Sequence, residues 1–219
     1  MALLVRGKSL NPDTSDLIIN VQQKVQAKNP EDSIPDIEII PLNISALDDI
    51  ELNKRWIKDK VGVFCLLSAI LRPKSRGTVR LASSNPSDRP KVDFGFFSNP
   101  EDWAIARTAV RLSLKLGQAM KDQGFPLLGG LTVPEPNNES IDELIRHRAR
   151  TTYHYSCTCR MASEQDDAPG AVDEELRVYG TENVRVCDAS IFPQIMAAHL
   201  MAPVVMVAEK CADMLKAAN

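Results

Sequence analysis

Two histidines stand where proton chemistry is possible. His154 lies in the run Tyr153-His154-Tyr155-Ser156-Cys157-Thr158-Cys159-Arg160-Met161, and His199 lies four residues before Pro203. Each sits in a non-repetitive segment flanked by small or apolar residues. Imidazole titrates near neutrality, so it can take a proton and return it. His199 also approaches an expected helix N-terminus, where backbone N–H groups point outward and favour negative charge on a ligand. A histidine there is placed to exchange a proton with a substrate while the helix end holds developing charge. The competing reading is a core histidine satisfied by hydrogen bonds, and spacing alone leans that way. His147 belongs to Arg146-His147-Arg148-Ala149-Arg150, late in a helix, and reads as part of a solvated end that complements the helix dipole.

Cys157-Thr158-Cys159 with His154 suggests a metal only weakly. Zinc sites favour a C-x2-C spacing and a second ligand pair, which here would have to come from Cys187 or His199. Buried, inert thiols are the preferred reading, Cys211 among them, and no metal is expected. Asp188 follows the apolar segment 184–187 and precedes Ala189-Ser190. An acid at the carboxyl end of a strand in an open sheet lies where ligands bind, but an N-cap or turn aspartate explains it equally well.

The elements that must position these groups follow from pattern. Asp13 or Thr14 is expected to cap a helix running to about Lys28, stopped by Asn29-Pro30. Residues 34–42 read as a strand, 47–60 as a loop with a short helix, and 61–71 as a doubly buried strand. Strands are expected over 78–82 and 92–97, the second turning Val92, Phe94 and Phe96 to one face. Asn99-Pro100-Glu101-Asp102 starts a helix to about Asp122, with Ile105, Ala109, Leu112, Leu116 and Met120 on one face and Gly124 at its end. Ser140 with Glu143 predicts a capped helix to about Arg150. A buried-type strand over 184–188 and a final helix from near Pro203 to about Leu215 complete the chain. The character changes near residue 150.

Composition limits the function classes. The 219 residues carry a net charge of −3, with 44% hydrophobic and 25% charged residues, as in ordinary globular chains. No basic excess is present to neutralise phosphates, so a nucleic-acid partner is not expected. No apolar run reaches signal-peptide or membrane-span length. Five cysteines at irregular spacing do not read as a secreted disulfide framework, so a cytoplasmic or other intracellular compartment is expected. None of the ten glycines forms G-x-G-x-x-G or a P-loop, so these residues hold no dinucleotide or triphosphate cradle.

The last 70 or so residues resemble the C-terminal signature of the glucose–methanol–choline (GMC) family of FAD-dependent oxidoreductases. It reads Tyr-His-Tyr-Ser-Cys-Thr-Cys-Arg-Met at 153–161, Gly-Ala-Val-Asp-Glu-Glu-Leu-Arg-Val-Tyr-Gly at 170–180, Val-Arg-Val-Cys-Asp-Ala-Ser-Ile-Phe-Pro at 184–193 and His-Leu-Met-Ala-Pro-Val-Val-Met-Val-Ala-Glu-Lys-Cys-Ala-Asp at 199–213. A weaker match runs upstream through 71–81 and 90–94, and loosely through 34–42, leaving residues 1–30 unassigned. The resemblance implies an α+β fold: a mixed sheet flanked by helices as a partial substrate-binding domain over 1–150, then a segment over 151–219 returning by strand and helix to an incomplete FAD-binding domain.

It also implies roles. Family members oxidise alcohols by hydride transfer to FAD while a histidine takes the hydroxyl proton. His154 matches the position of that base and His199 the second position of the pair. Leu200 and Met201 match backbone that approaches the flavin, and Asp188 and Ala189 match a segment lining FAD. Where many members have glycine, this chain has Cys157. The family's FAD-binding segment with its glycine fingerprint has no counterpart in these 219 residues. The implied partners are a small alcohol and a separate amino-terminal FAD-binding half. The competing readings are a non-catalytic remnant or interaction module with the same fold and, further behind, a Cys/His metal-binding domain.

Overall fold

In the computed structural model, residues 3–5, 34–42, 51, 54, 58–59, 64–125 and 137–217 are described. The helix expected over 13–28 and most of the segment 47–60 lie outside them. The chain divides into two units, one formed by residues 1–75 with 97–150, the other by 76–96 with 151–219.

In the first unit, β-branched Ile37 and Ile39 alternate onto one face of a strand, as a half-buried sheet demands. That strand, β2 (Ile37–Leu42), lies between β1 (Leu3–Val5) and β3 (Cys65–Ile70). Both pairings are antiparallel, with Ile37 opposite Ile70 and Leu42 opposite Cys65. The sheet expected to be mixed is thus antiparallel at every pairing among the described strands. Antiparallel neighbours need no crossover helix between them. β3 is an edge among these strands and only half-buried along its length, which corrects the expectation of a doubly buried strand.

Helix α1 (Pro100–Asp122) starts and stops where the sequence predicts. The Asn99 side chain accepts the Glu101 N–H, Pro100 takes the first position, and acids fill the first turn. At the other end Gly124 adopts φ +86 and donates to the Lys121 carbonyl. Ala109 and Leu112 bury against Ile37 and Ile39, with Ile105 and Leu116 at the margin. Asp102, only 2% exposed, accepts from the Lys74 and Ser75 N–H groups at 2.9 and 2.8 Å. A buried carboxylate is tolerated when such donors satisfy it, and here it clamps the 72–75 turn to the helix start.

Helix α2 (Asn138–Arg148) begins earlier than expected. Its cap is Asn137, whose side chain accepts the Ser140 N–H at 2.9 Å, and the Ser140 hydroxyl donates to the Asn137 carbonyl. Asparagine caps as well as serine, so the earlier residue takes the role. Ile141 and Ile145 pack with Ala106 of α1. Across the same contact Arg107 forks onto Asp142 at 2.6 and 2.8 Å.

The second unit opens with a hairpin of β4 (Thr78–Arg80) and β5 (Lys91–Asp93). Both strands are shorter than expected. Two glycines close its mouth: a Cβ on Gly77 would lie 2.2 Å from the Asp93 carbonyl, and one on Gly95, at φ +58, equally near the Arg76 carbonyl. Residues 151–200 then run as irregular chain joined by single bridges, Met161 to Val172, Val172 to Val178 and Arg177 to Arg185. The strand expected over 184–188 is reduced to the bridge at Arg185, because Asn183 before it is left-handed and Asp188 after it caps a turn. That turn is a 3-10 helix, Ala189–Ile191, and α3 (Met201–Ala217) ends the described chain. The core of this unit is Val172, Leu176, Ile191, Phe192, Leu200 and Cys211.

The Arg107–Asp142 pair has a pH signature. The Arg107 hydrogen bond holds the Asp142 carboxyl below its ordinary value of 3.8, against the opposing effect of burial. A group with a depressed folded pKa stabilises fully above its unfolded value and loses that contribution as pH falls through the folded one. Asp142→Asn is therefore expected to lower the urea midpoint near neutrality. The gap from the unsubstituted chain should close as pH falls below the ordinary carboxyl range.

Candidate active site

Backbone hydrogen bonds build this site before any side chain acts. The N–H groups of Cys157, Cys159 and Met161 donate to the carbonyls of Ala189, Ser190 and Ile191 at 3.2, 2.9 and 2.8 Å. Ile191 is 2% exposed and Leu200 is 6% exposed in the same core. The segment carrying His154 and the residue following His199 are therefore both tied to that core. Nearby, Asp173 organises a tight loop by accepting from the Glu175 and Arg177 N–H groups and from Nε of Arg177. Burial alone would raise the Asp173 carboxyl, but these donors together hold it below the usual range.

The two histidines meet. His154 Nε2 lies 3.0 Å from His199 Nδ1, with ring centroids 4.9 Å apart and the planes at 68°. His154 Nδ1 lies 2.6 Å from the Thr152 carbonyl oxygen. A carbonyl only accepts, so this nitrogen carries the proton, and in the neutral ring Nε2 carries the lone pair. His199 Nδ1–H then donates to it. His154 is half-buried and His199 exposed, so neither is a fully buried histidine.

The backbone around His154 is unusual. Tyr153 has φ +62 and Cys157 has φ +68, both in the left-handed region that side chains with a Cβ disfavour. The Thr151 hydroxyl oxygen accepts the Tyr153 N–H at 2.9 Å.

His199 and Leu200 lead directly into α3, whose first residue is Met201. A helix leaves its first N–H groups without intrahelical acceptors, and Pro203 has none to offer. The Met201 and Ala202 N–H groups thus form a small donor set two and three residues after His199 in the chain. Met201 itself is 80% exposed. Asp188 is exposed, and its Oδ1 accepts the Ser190 N–H at 2.7 Å, so it caps the 3-10 turn. The adjacent Ala189 carbonyl receives the Cys157 N–H. His147 belongs to the basic last turn of α2, in the first unit.

Cys157, Cys187 and Cys211 lie in or beside the core of this unit. Cys211 is buried, and burial pushes the Cys187 thiol up, with a hydrogen bond to Cys211 acting the same way. Among the described residues no three His, Cys, Asp or Glu side chains converge as a metal site. One buried nitrogen, Nη2 of Arg160, has no hydrogen-bond partner among the described residues.

An aromatic row escaped the sequence reading. Phe94 stacks on Phe96 at 5.2 Å and on Tyr155 at 5.6 Å, and Tyr155 meets Tyr153 edge-on at 6.5 Å. All four rings are exposed. The alternation of Val92, Phe94 and Phe96 was visible, but an alternating pattern does not say that the face it defines is buried.

The family model for GMC oxidoreductase matches residues 73–208. The chain is 38% identical over 147 residues to an oxygen-dependent choline dehydrogenase of Vibrio vulnificus (strain YJ016), covering 66% of this chain and 26% of that protein. It is 40% identical over 146 residues to the enzyme of the same description in Brucella ovis, with 65% and 26% covered. The chain thus spans about a quarter of the length of the curated relatives it matches. Among solved structures it resembles formate oxidase of Aspergillus oryzae RIB40, studied for modification of its FAD. There the TM-score is 0.69 and the identity 27%, over 84% of this chain and 32% of that one. An FAD-dependent oxidoreductase of Chaetomium thermophilum matches with TM-score 0.59 and 29% identity, over 71% and 27%.

The left-handed backbone at Cys157 can be tested by a paired substitution. Cys157→Gly and Cys157→Ala both remove the thiol, but only alanine keeps a Cβ in the disfavoured region. The glycine variant is expected to be more stable than the alanine variant by about 1 kcal/mol in urea unfolding.

Proposed function

Because the chain belongs to the GMC oxidoreductase family, we propose that it is the substrate-facing and catalytic part of an FAD-dependent oxidoreductase acting on CH–OH groups. The observation that carries this reading is the His154–His199 contact of 3.0 Å at the approach to the α3 N-terminus. Residues 1–150 would contribute the substrate-binding part, and 151–219 the catalytic segment. The substrate class is a small alcohol.

The residues at hand fit the flavin end of FAD. The outward N–H groups at the start of α3 suit a carbonyl or an anionic ring edge, and the helix dipole favours negative charge there. Leu200 and Met201 would supply that backbone, with Asp188 and Ala189 lining the cofactor. Bound FAD would supply the hydride acceptor. His154 would take the hydroxyl proton on Nε2 once the alcohol displaces the His199 Nδ1–H that occupies that lone pair and orients the ring in the resting pair. The irregular loop keeps both rings at the surface, where an alcohol can reach them.

The dinucleotide end has no counterpart, since no G-x-G-x-x-G occurs in the 219 residues. A separate amino-terminal FAD-binding half would supply it. The α3 surface supports such a partner. Val204, Val207, Cys211 and Met214 turn inward to the core, yet Met201, Val205, Met206 and Leu215 are 80%, 56%, 62% and 46% exposed. An apolar outer side over the first two turns of the helix is a surface that a partner would cover.

The test is complementation. Purified alone, the chain is expected to be colourless and to take up no added FAD. Coexpressed with the FAD-binding part of an oxygen-dependent choline dehydrogenase, it should copurify as a yellow complex that oxidises a small alcohol. In that complex His154→Ala is expected to lower turnover about 10²-fold or more, the usual worth of a general base. Unchanged turnover in that variant removes His154 from the mechanism. A flavin-loaded complex without any turnover favours the non-catalytic module instead.

A further inference from the structure

We infer that Thr151 is a positioning residue, whose hydroxyl oxygen holds Tyr153 left-handed and so fixes the tautomer of His154. The inference rests on the reading of His154 as the base, and it concerns how that base keeps its acceptor on Nε2.

Three observations connect. Thr151 Oγ1 accepts the Tyr153 N–H at 2.9 Å, closing a turn across Thr152. Tyr153 holds φ +62, a conformation a bulky residue keeps only when its surroundings impose it. The carbonyl of Thr152, inside that turn, lies 2.6 Å from His154 Nδ1. The side chain of Thr151 thus anchors the turn, the turn aims the carbonyl, and the carbonyl demands a proton on Nδ1.

The consequence falls on the other ring nitrogen. A neutral imidazole carries one N–H, so a proton kept on Nδ1 leaves Nε2 as the acceptor. That is the nitrogen facing His199 Nδ1 at 3.0 Å. Without the Thr151 hydroxyl, Tyr153 can relax to negative φ, and the Thr152 carbonyl no longer tracks the ring. The proton can then move to Nε2, where it blocks the position from which an alcohol proton would be taken. Thr151 itself touches neither histidine ring in this chain of contacts, so its effect passes through Tyr153 and Thr152.

The tautomer can be read directly in the full 219-residue chain, without flavin. Long-range 15N–1H correlation spectra of uniformly labelled protein distinguish Nδ1–H from Nε2–H, and the three histidines are assigned through His147→Gln and His199→Gln variants. Wild-type His154 is expected as the Nδ1–H form. Thr151→Ser keeps the acceptor and should keep that form. Thr151→Val keeps the shape and loses the acceptor, and it should shift His154 to Nε2–H or to a mixture. Adding Tyr153→Gly to Thr151→Val should restore Nδ1–H, because glycine adopts the left-handed turn without the tether.

An Nε2–H His154 in the wild type or in Thr151→Ser overturns the inference. So does an unaltered tautomer in a folded Thr151→Val. If Thr151→Val does not fold, the wild-type and serine spectra decide. In the flavin-loaded complex, Thr151→Val should lower kcat about tenfold with KM little changed, and Thr151→Ser should restore it. A complex without turnover would count against the proposed activity alone, since the spectra report the tautomer independently.

Discussion

Three backbone hydrogen bonds carry the second unit: Cys157 to Ala189, Cys159 to Ser190 and Met161 to Ile191. Each contributes on the order of 1 kcal/mol net, so their weight lies in geometry more than in energy. Between residues 151 and 200 the chain forms isolated bridges and single loop hydrogen bonds in place of a regular strand. The ladder fixes the His154 segment to the 3-10 turn, and Ile191 and Phe192 root that turn in the core. Leu200, rooted in the same core, carries His199 beside it. Two rings 45 residues apart in sequence therefore meet because their neighbours share one set of buried side chains.

The same arrangement explains why a site forms on irregular backbone. A regular strand through residues 153–157 would alternate its side chains and would not present a carbonyl back to the next ring. Left-handed residues at 153 and 157 break that alternation on either side of His154. Such conformations persist only where surrounding contacts over-determine them, which the Thr151 tether and the Cys157 ladder bond do. The left-handed φ at Cys157 also gives a physical reason for the glycine that many members of the resembled family carry at this position. Glycine has no Cβ to oppose that conformation.

Much of this was legible in the sequence where local chemistry decides the outcome. The Asn99 cap, Pro100 and Gly124 set the limits of α1, because caps act within a few residues. The histidine pair was singled out through the family resemblance, since spacing alone leaned toward core histidines. Its alignment was not legible, since the tautomer depends on a backbone carbonyl whose direction no residue type encodes. The burial of strands was misread for a related reason. An apolar run over 61–71 says that a strand is apolar, while the number of its neighbours depends on sheet order. Likewise Phe94 and Phe96 alternate as inward residues would, yet their rings stand exposed. Asn137 displaced Ser140 as the α2 cap because adjacent good capping residues compete, and the position of the last non-helical residue decides.

The exposed apolar surfaces and the histidine geometry bear on the same question. A chain that buried all its apolar groups would leave the imidazole pair as a surface curiosity. Here the helix that begins beside His199 exposes Met201, Val205 and Met206 on the outer side of its first two turns. Desolvating that outer side would lower the local dielectric around the N–H groups at the start of α3 and strengthen their hold on negative charge. Covering the helix and activating the site would then be one event. The low-dielectric wall that would make the helix N-terminus effective is what a covering surface would add, whereas the contact between the two imidazoles is already formed.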